Sequence, residues 1–438
     1  MDFYLNLFII VADQLMLFII NMIVARHAGE ELFGDFSVAT SALLLIATVI
    51  TFGIDSIIAY YVPKFYIRKK YDEIGNLTKS VKDFLQPIYT TLITGGALLS
   101  LAIIALSYII GDVNVFEISH PLFLFLWGAV ALSLYNIFIQ FFRAVDYMRT
   151  AILLSLLQTM FYFGLSLFTY FYLYPVLFHE NRHYFPHVML IGFIVSYVLI
   201  VMLSVAIERR TTLQRLYGKY PKTGTSYIEW KEKMYGYTVQ NLNKYIFASI
   251  PLLIIEFIGA DEESVGLFSA VVSIISLAAI AISPIGILIG PEISAAFAQS
   301  REFLKATMMK YLFVTFGISI ILVIALAACA PHILLLYKSN FIRALPYTYF
   351  CLINIVTYAI SMPLSKMIQY SSKGNIIGAQ LTISMMLLQI VACFILIPWL
   401  NLLGAVICYI GINIIYNMAM IAMAIRIYHH DPFGHEAI

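Results

Sequence analysis

The chain has 438 residues, of which 62% are hydrophobic and 11% are charged, and its formal net charge is +2. Soluble domains carry about 25% charged residues, so this chain has too few charges to cover the surfaces of two or three soluble domains. The composition therefore excludes a cytoplasmic enzyme, a nucleic-acid-binding protein and a disordered scaffold. It indicates an integral membrane protein.

Continuous apolar stretches predict an all-α membrane protein with twelve transmembrane helices, because a spanning helix needs about 20 apolar residues and a membrane β-barrel would alternate. The predicted spans are 3–25, 36–61, 84–110, 121–142, 150–174, 188–207, 236–258, 264–290, 311–330, 344–365, 376–397 and 404–425. With the N-terminus inside, 21 of the 26 basic residues lie in cytoplasmic segments. Because cytoplasmic loops are rich in Lys and Arg, both termini are expected to face the cytoplasm.

An internal repeat relates the two halves of the chain. Residues 28–54 and 260–286 align at an offset of 232 with ten identities in 27 positions, among them the acidic pair Glu30–Glu31, Gly34 and the step Phe36–Ser37. Both copies begin at the outer turn after the first span of a half, so the repeat is parallel. With the long basic connection 208–235, it predicts two six-helix lobes, residues 1–225 and 226–438.

The sequence predicts no metal site and no cofactor. Its four cysteines lie in apolar stretches without CxxC spacing, and no GxxxxGK[ST] loop is present to hold ATP. Three histidines are spaced four apart in the outer segment 179–187, but Pro186 would break the helix that aligns them. Transport would therefore depend on a partner or on a proton or sodium gradient.

Ionisable residues at membrane depth are costly, and they usually face a cavity or each other. Asp13 lies at the centre of the first span, and Lys244 lies in the seventh. Gln240, Asn241 and Asn243 surround Lys244 with polar groups. Because these spans open the two repeats, Asp13 and Lys244 are predicted to face one central cavity as an ion or substrate site. The alternative is a structural Asp–Lys pair that holds two helices together.

Five further charged residues lie near the ends of spans. Asp55 lies inside the cytoplasmic end of the second span and Glu256 lies near the outer end of the seventh, so both are candidate ion-coupling residues. Arg26 caps the first span on the outer side, whereas Arg143 and Lys366 end the fourth and tenth spans on the inner side. These cations are candidate substrate-binding residues, with plain interfacial anchoring as the alternative.

Four residues are expected to interrupt helices that bend during transport, namely Gly53, Pro251, Pro284 and Pro363.

Short motifs in the first half resemble the Wzx-type oligosaccharide flippases, which share a superfamily with the multidrug and toxic-compound extruders and the lipid II flippases. The motifs are VAR at 24–26, GE at 29–30, FGDFS at 33–37, TFGID at 51–55, YVPK at 61–64, FRA at 142–144 and DYMR at 146–149.

This resemblance implies a MATE-like fold whose two lobes enclose a cavity that opens alternately to each side. It implies that the chain moves undecaprenyl-pyrophosphate-linked oligosaccharides across the bacterial inner membrane for surface polysaccharide synthesis. Lys244, Arg143, Arg26 and Lys366 would supply positive charge for the pyrophosphate, while Asp13 departs from a purely cationic cavity. The implied partners are the lipid-linked sugar, membrane lipid and polysaccharide polymerase or chain-length machinery.

Three other functions stay open at this point. A cation-coupled multidrug or metabolite antiporter would have the same fold. A catalytic or assembly subunit of a polysaccharide-synthesis complex is disfavoured as a catalyst, because no outer connection offers room for a domain. A major-facilitator transporter also has two parallel six-helix halves, but the loop after the second span lacks that family's GxxxDRxGRR-like run.

Overall fold

The computed structural model describes residues 2–110, 120–177, 183–210, 228–243, 245–259, 262–370 and 374–430. For some helical residues in these ranges only the backbone is described, and they include Asp13 and Lys366. The described residues form helices joined by short turns, and no strand occurs among them. The prediction of an all-α chain is confirmed.

Sixteen α-helices follow one another along the described ranges. They are α1 Asp2–Ala28, α2 Glu30–Ile50, α3 Ile54–Ile67, α4 Tyr71–Ile110, α5 Phe125–Ala144, α6 Met148–Phe168, α7 Tyr174–Leu177, α8 Tyr184–Arg210, α9 Ile228–Leu242, α10 Ile246–Ile258, α11 Glu262–Gln299, α12 Arg301–Tyr337, α13 Leu345–Cys351, α14 Ile353–Tyr370, α15 Gly374–Leu400 and α16 Leu402–His430. Single 3₁₀ turns precede α5 and α13, and a π-helical turn joins α6 to α7.

Eight of the described helices are long and apolar enough to cross a membrane. The number rises to ten when two interrupted helix pairs, α9 with α10 and α13 with α14, each count as one span. The fold is therefore multi-pass. Twelve spans, and the cytoplasmic location of both termini, remain predictions.

The second predicted span is interrupted near its centre. Helix α2 ends at Ile50 and α3 begins at Ile54, and between them Phe52 and Gly53 have φ values of 52° and 65°. A bulky residue in this left-handed region is strained by about 1–3 kcal/mol. The expected interruption at Gly53 is confirmed.

The proline positions behave differently from Gly53. Helix α10 continues through Pro251 and α14 continues through Pro363, as membrane helices tolerate proline when neighbouring groups satisfy the freed carbonyls. Helix α11 likewise runs past position 284. A proline alone therefore does not end a helix here, whereas the Phe52–Gly53 step does.

The described chain forms two compact units. The first contains Met1–Gly34 and Asn243–Ile438, and the second contains Asp35–Leu242. In the first unit, α1 packs against α11 and α12. In the second unit, α5 packs against α3 and α8, and α9 packs against α3. The predicted lobes, 1–225 and 226–438, remain a proposal about the two repeats.

Candidate functional site

Asp55 and Asn241 meet in the second unit. Asp55 lies in the first turn of α3, directly after the break, and Asn241 lies at the end of α9. The Asn241 Nδ2 group donates to both carboxylate oxygens of Asp55, at 2.9 and 3.1 Å, and lies 3.0 Å from Ser56 Oγ. The structure thus joins a predicted ion-coupling residue to a predicted substrate-binding residue.

Gly53 allows α9 to approach closely enough for this contact. A Cβ atom at position 53 would lie 2.7 Å from the backbone nitrogen of Thr238 and 2.7 Å from Cβ of Tyr237. Both distances are too short for any side chain, and the positive φ of Gly53 also favours glycine. The TFGID motif therefore places the break and the carboxylate against α9.

A buried hydroxyl network lies next to the same break. Ser133 Oγ is 2.6 Å from Thr51 Oγ1 and 2.6 Å from the hydroxyl of Tyr89, and Thr51 also donates to the carbonyl of Ala47 at 2.6 Å. Ser133 is completely buried. This network ties α4 and α5 to the end of α2. Isolated polar residues inside apolar spans are the one sign of this network in the sequence, and they did not predict it.

Arg143, unlike Asp55, forms no hydrogen bond or ion pair with the described residues. It lies in the last turn of α5 and is exposed. Among the residues that the structure describes, it makes no hydrogen bond or ion pair. The second unit therefore presents a cation that forms no ion pair within the described part of the chain, whereas the Asp55 carboxylate is bound by an amide at both oxygens.

Asn243 belongs to a separate polar cluster in the first unit. Its Nδ2 donates to the hydroxyl of Tyr416 at 2.8 Å, and the Tyr416 ring packs against Phe247 at a centroid distance of 5.0 Å. Gln389, which is fully buried, donates to the carbonyl of Phe247 at 2.8 Å. Asn243 Oδ1 and Gln389 Oε1 have no hydrogen-bond partner within the described ranges. Two acceptors are thus available in this cluster.

For three other candidate residues the structure gives the helix and the exposure of the side chain. Gln240 in α9 and Glu256 in α10 are partly buried. Arg26, in the last turn of α1, is exposed and forms no hydrogen bond or ion pair with any described residue.

The structure does not place the side chains of three candidate residues. Lys244 lies outside the described residues, and so do the side chains of Asp13 and Lys366. The structure therefore leaves the expected meeting of Asp13 and Lys244 in one cavity as a prediction.

Comparison with solved structures identifies the overall fold. An inward-facing conformation of a multidrug resistance MATE family transporter of the MOP superfamily has a TM-score of 0.72, covering 95% of this chain and 94% of that one. The fold is that of the MATE transporters. The outward-facing conformation of such a transporter has a TM-score of 0.64, and a MATE structure in the straight conformation has 0.67; each covers 96% of this chain and 93% of its own.

Sequence identity to these MATE structures is low, at 16% for the two named conformations and 17% for the straight one. No protein-family model matches the chain. No curated protein sequence matches it either. The MATE likeness therefore establishes the arrangement of helices and leaves the cargo to the side chains.

Proposed function

We propose that this chain is a membrane transporter that works by alternating access and carries a lipid-linked oligosaccharide. The first half of the proposal is supported by the MATE fold, which extends over almost the whole chain and has been solved in both inward-facing and outward-facing conformations. Alternating access needs two such states that expose one site to opposite sides of the membrane.

The choice of cargo rests on which charged side chains already have a hydrogen-bond or ion-pair partner. Arg143 has no ion-pair partner among the described residues, whereas Asp55 already accepts two hydrogen bonds from Asn241. A pyrophosphate is a strong anion, and a guanidinium binds phosphate oxygens with two parallel hydrogen bonds. An arginine without an ion pair, together with a carboxylate that is already hydrogen-bonded by an amide, suits an anionic headgroup better than an organic cation.

The other predicted residues take their places in the same proposal. Lys244 supplies a second counter-charge for the pyrophosphate, and Asn243 and Gln240 offer hydrogen bonds to sugar hydroxyls. The sugar crosses in a polar cavity while the polyprenyl tail stays in the lipid. Asp13 and Glu256 are the remaining candidates for coupling to a proton or sodium gradient.

The remaining residues and the partners complete the proposal. Arg26 and Lys366 add positive charge near the two membrane faces, and Asp55 takes part in coupling only if Asn241 releases it. The proposed location is the bacterial inner membrane. The proposed partners are the lipid-linked sugar, membrane lipid and polysaccharide polymerase or chain-length machinery.

A second candidate function is a cation-coupled multidrug or metabolite antiporter. It is favoured by the similar structures, two of which are those of multidrug resistance transporters. In this function the acidic residues would bind organic cations or the coupling ion. It predicts efflux of small organic cations that depends on an ion gradient and is abolished by Asp13→Asn.

Purified protein in liposomes distinguishes the two cargoes. We expect the native chain to move a fluorescent polyprenyl-pyrophosphate sugar and to ignore ethidium. Replacing a charged hydrogen-bond donor costs about 1.5–3 kcal/mol, so Arg143→Ala and Lys244→Ala should each slow lipid transport by about tenfold or more. Arg143→Lys should be intermediate, because an ammonium keeps the charge but loses the paired geometry.

Arg426→Ala is the matched control, since Arg426 is an exposed arginine near the end of α16 without a hydrogen bond or ion pair to the described residues. It should transport at the native rate. Ethidium efflux without lipid transport would replace the proposed cargo with the antiporter's. Native transport by both Arg143→Ala and Lys244→Ala would remove these residues from the binding site.

A further inference from the structure

Two equivalent positions of the internal repeat lie against each other in the first unit. Gly34, in the first turns of α2, and Gly266, in the first turns of α11, are related by the offset of 232. A Cβ atom on Gly34 would lie 3.1 Å from the backbone nitrogen of Gly266, and one on Gly266 would lie 1.8 Å from the carbonyl oxygen of Glu30. The two helix starts are therefore in direct backbone contact.

An aromatic cluster packs beside this contact between the starts of α2 and α11. Phe33, which is 1% exposed, packs edge-on against Tyr337 at 5.9 Å and against Phe341 at 6.0 Å between ring centroids. Tyr337 and Phe341 are fully buried and lie 5.5 Å apart. A side chain from the first half of the sequence is thus enclosed by residues from the second half.

Arg343 joins the two copies of the repeated acidic pair. Its Nη2 group donates to both carboxylate oxygens of Glu30 at 3.1 Å and to Oε2 of Glu263 at 2.8 Å. The Glu30 side chain is 6% exposed, whereas Glu263 is half exposed. A buried carboxylate needs a compensating charge, so the position of Glu30 depends on Arg343 far more than that of Glu263 does.

We propose that these residues form an outer latch, defined as Glu30, Phe33 and Gly34 against Glu263, Gly266 and Arg343. The inference rests on the proposed function, because only an alternating-access transporter needs the outer ends of its halves to separate in each cycle. The latch holds α2 to α11 in one state. In the other state Glu30 leaves its buried position, is hydrated, and no longer needs Arg343.

Cross-linking tests whether this contact must open. In a chain whose four cysteines are replaced by alanine, Glu30→Cys with Arg343→Cys is joined by a bifunctional methanethiosulfonate, which links first-half and second-half residues. We expect lipid transport in liposomes to fall by about tenfold or more, as expected when one state is strongly favoured, and to recover when a thiol reductant cleaves the link.

The matched control joins Glu263→Cys to Arg343→Cys. It uses the same arginine position and a contact of similar length, but both residues belong to the second half of the sequence. Transport should stay within about twofold of the unlinked protein, since this link spans no moving contact in the proposal. Undiminished transport by the first linked pair, or an equal loss in both pairs, would overturn the latch.

A measurement without cargo separates the latch from the proposed function. Arg343→Ala should raise amide hydrogen exchange in residues 30–36 and 263–268, because the buried Glu30 carboxylate then favours the hydrated state. Adding Glu30→Gln removes that charge and should return exchange in both segments towards the native level. Unchanged exchange in Arg343→Ala, or a rise spread evenly through α12 to α16, would contradict the latch. Failure of the native chain to move lipid would instead contradict the cargo.

Discussion

Asn241 binds both carboxylate oxygens of Asp55, although 186 positions separate the two residues in the sequence. The contact fixes the end of α9 against the start of α3. It also determines how the acidic residue of the TFGID motif is used, because an amide that donates twice stabilises the charged carboxylate without removing its charge.

We predict that Asn241→Leu lowers stability through Asp55. Hydrogen bonds to a charged group contribute about 1.5–3 kcal/mol, so the free energy of unfolding should fall by that amount. Thermal unfolding in detergent, followed by loss of monodisperse protein, measures the change. In the double variant with Asp55→Asn, the loss should be smaller than the sum of the two single losses. Additive losses would mean that the two side chains are not coupled.

Gly53→Ala should destabilise the protein, because its methyl group would clash with α9 and its backbone would be strained. The new Cβ would lie 2.7 Å from the Thr238 nitrogen, and alanine disfavours the φ of 65°. Overpacking alone costs about 1–3 kcal/mol. The control is Gly164→Ala in α6, where a Cβ meets no atom within 4 Å. Thermal unfolding should separate the two variants, and equal melting temperatures would show that α9 can move away from the break without cost.

Gly266→Ala should be more harmful than Gly34→Ala. The Cβ of the first would lie 1.8 Å from a backbone oxygen, whereas the Cβ of the second has its shortest contact, 3.0 Å, with a Val265 side-chain atom. Backbone atoms cannot rotate away, so α2 and α11 must separate in Gly266→Ala, at about 1–3 kcal/mol or more.

Gly317→Ala in α12 serves as the control for this pair, since nothing lies within 4 Å of its new methyl group. Its melting temperature should equal or exceed that of the native chain, because alanine favours helix by about 1 kcal/mol over glycine. A lower melting temperature for Gly34→Ala than for Gly266→Ala would contradict the close contact between α2 and α11.

Ser133→Ala should weaken the network beside the break. The substitution removes a hydroxyl that lies 2.6 Å from both Thr51 and Tyr89, and it leaves the Tyr89 hydroxyl without that partner. We expect a loss of about 1–3 kcal/mol in unfolding free energy. Ser319→Ala is a suitable comparison, because Ser319 is equally buried but donates to a carbonyl of its own helix. Equal losses in thermal unfolding would show that the inter-helix network adds nothing.

Much of the fold follows from local features of the sequence. An apolar helix satisfies its own backbone hydrogen bonds, so hydropathy alone locates most of the helical residues, and the described chain departs from helix only at short breaks within the predicted spans. The repeat also singles out the acidic pair and Gly34 from the sequence alone. Gly53 was identified as a helix breaker for the same reason, since its lack of a side chain is a local property.

The partners of these residues could not be derived in the same way. Nothing in the local sequence around Arg343 indicated that it binds Glu30 across 313 positions. Likewise, Ser133 and Gln389 are single polar residues in apolar stretches, and the sequence contains no sign of which helix faces them.

By itself, then, the sequence determined that this is a helical membrane protein with an internal repeat and a few charged residues inside its apolar stretches. Only the tertiary structure decided which acidic residues are bound: Asp55 by Asn241, and Glu30 by Arg343. The physical reason is that lipid is as apolar as a helix interface, so the burial of apolar faces does not specify which side of a membrane helix packs inward. Close glycine contacts and individual hydrogen bonds make that choice, and they exist only once distant helices are side by side.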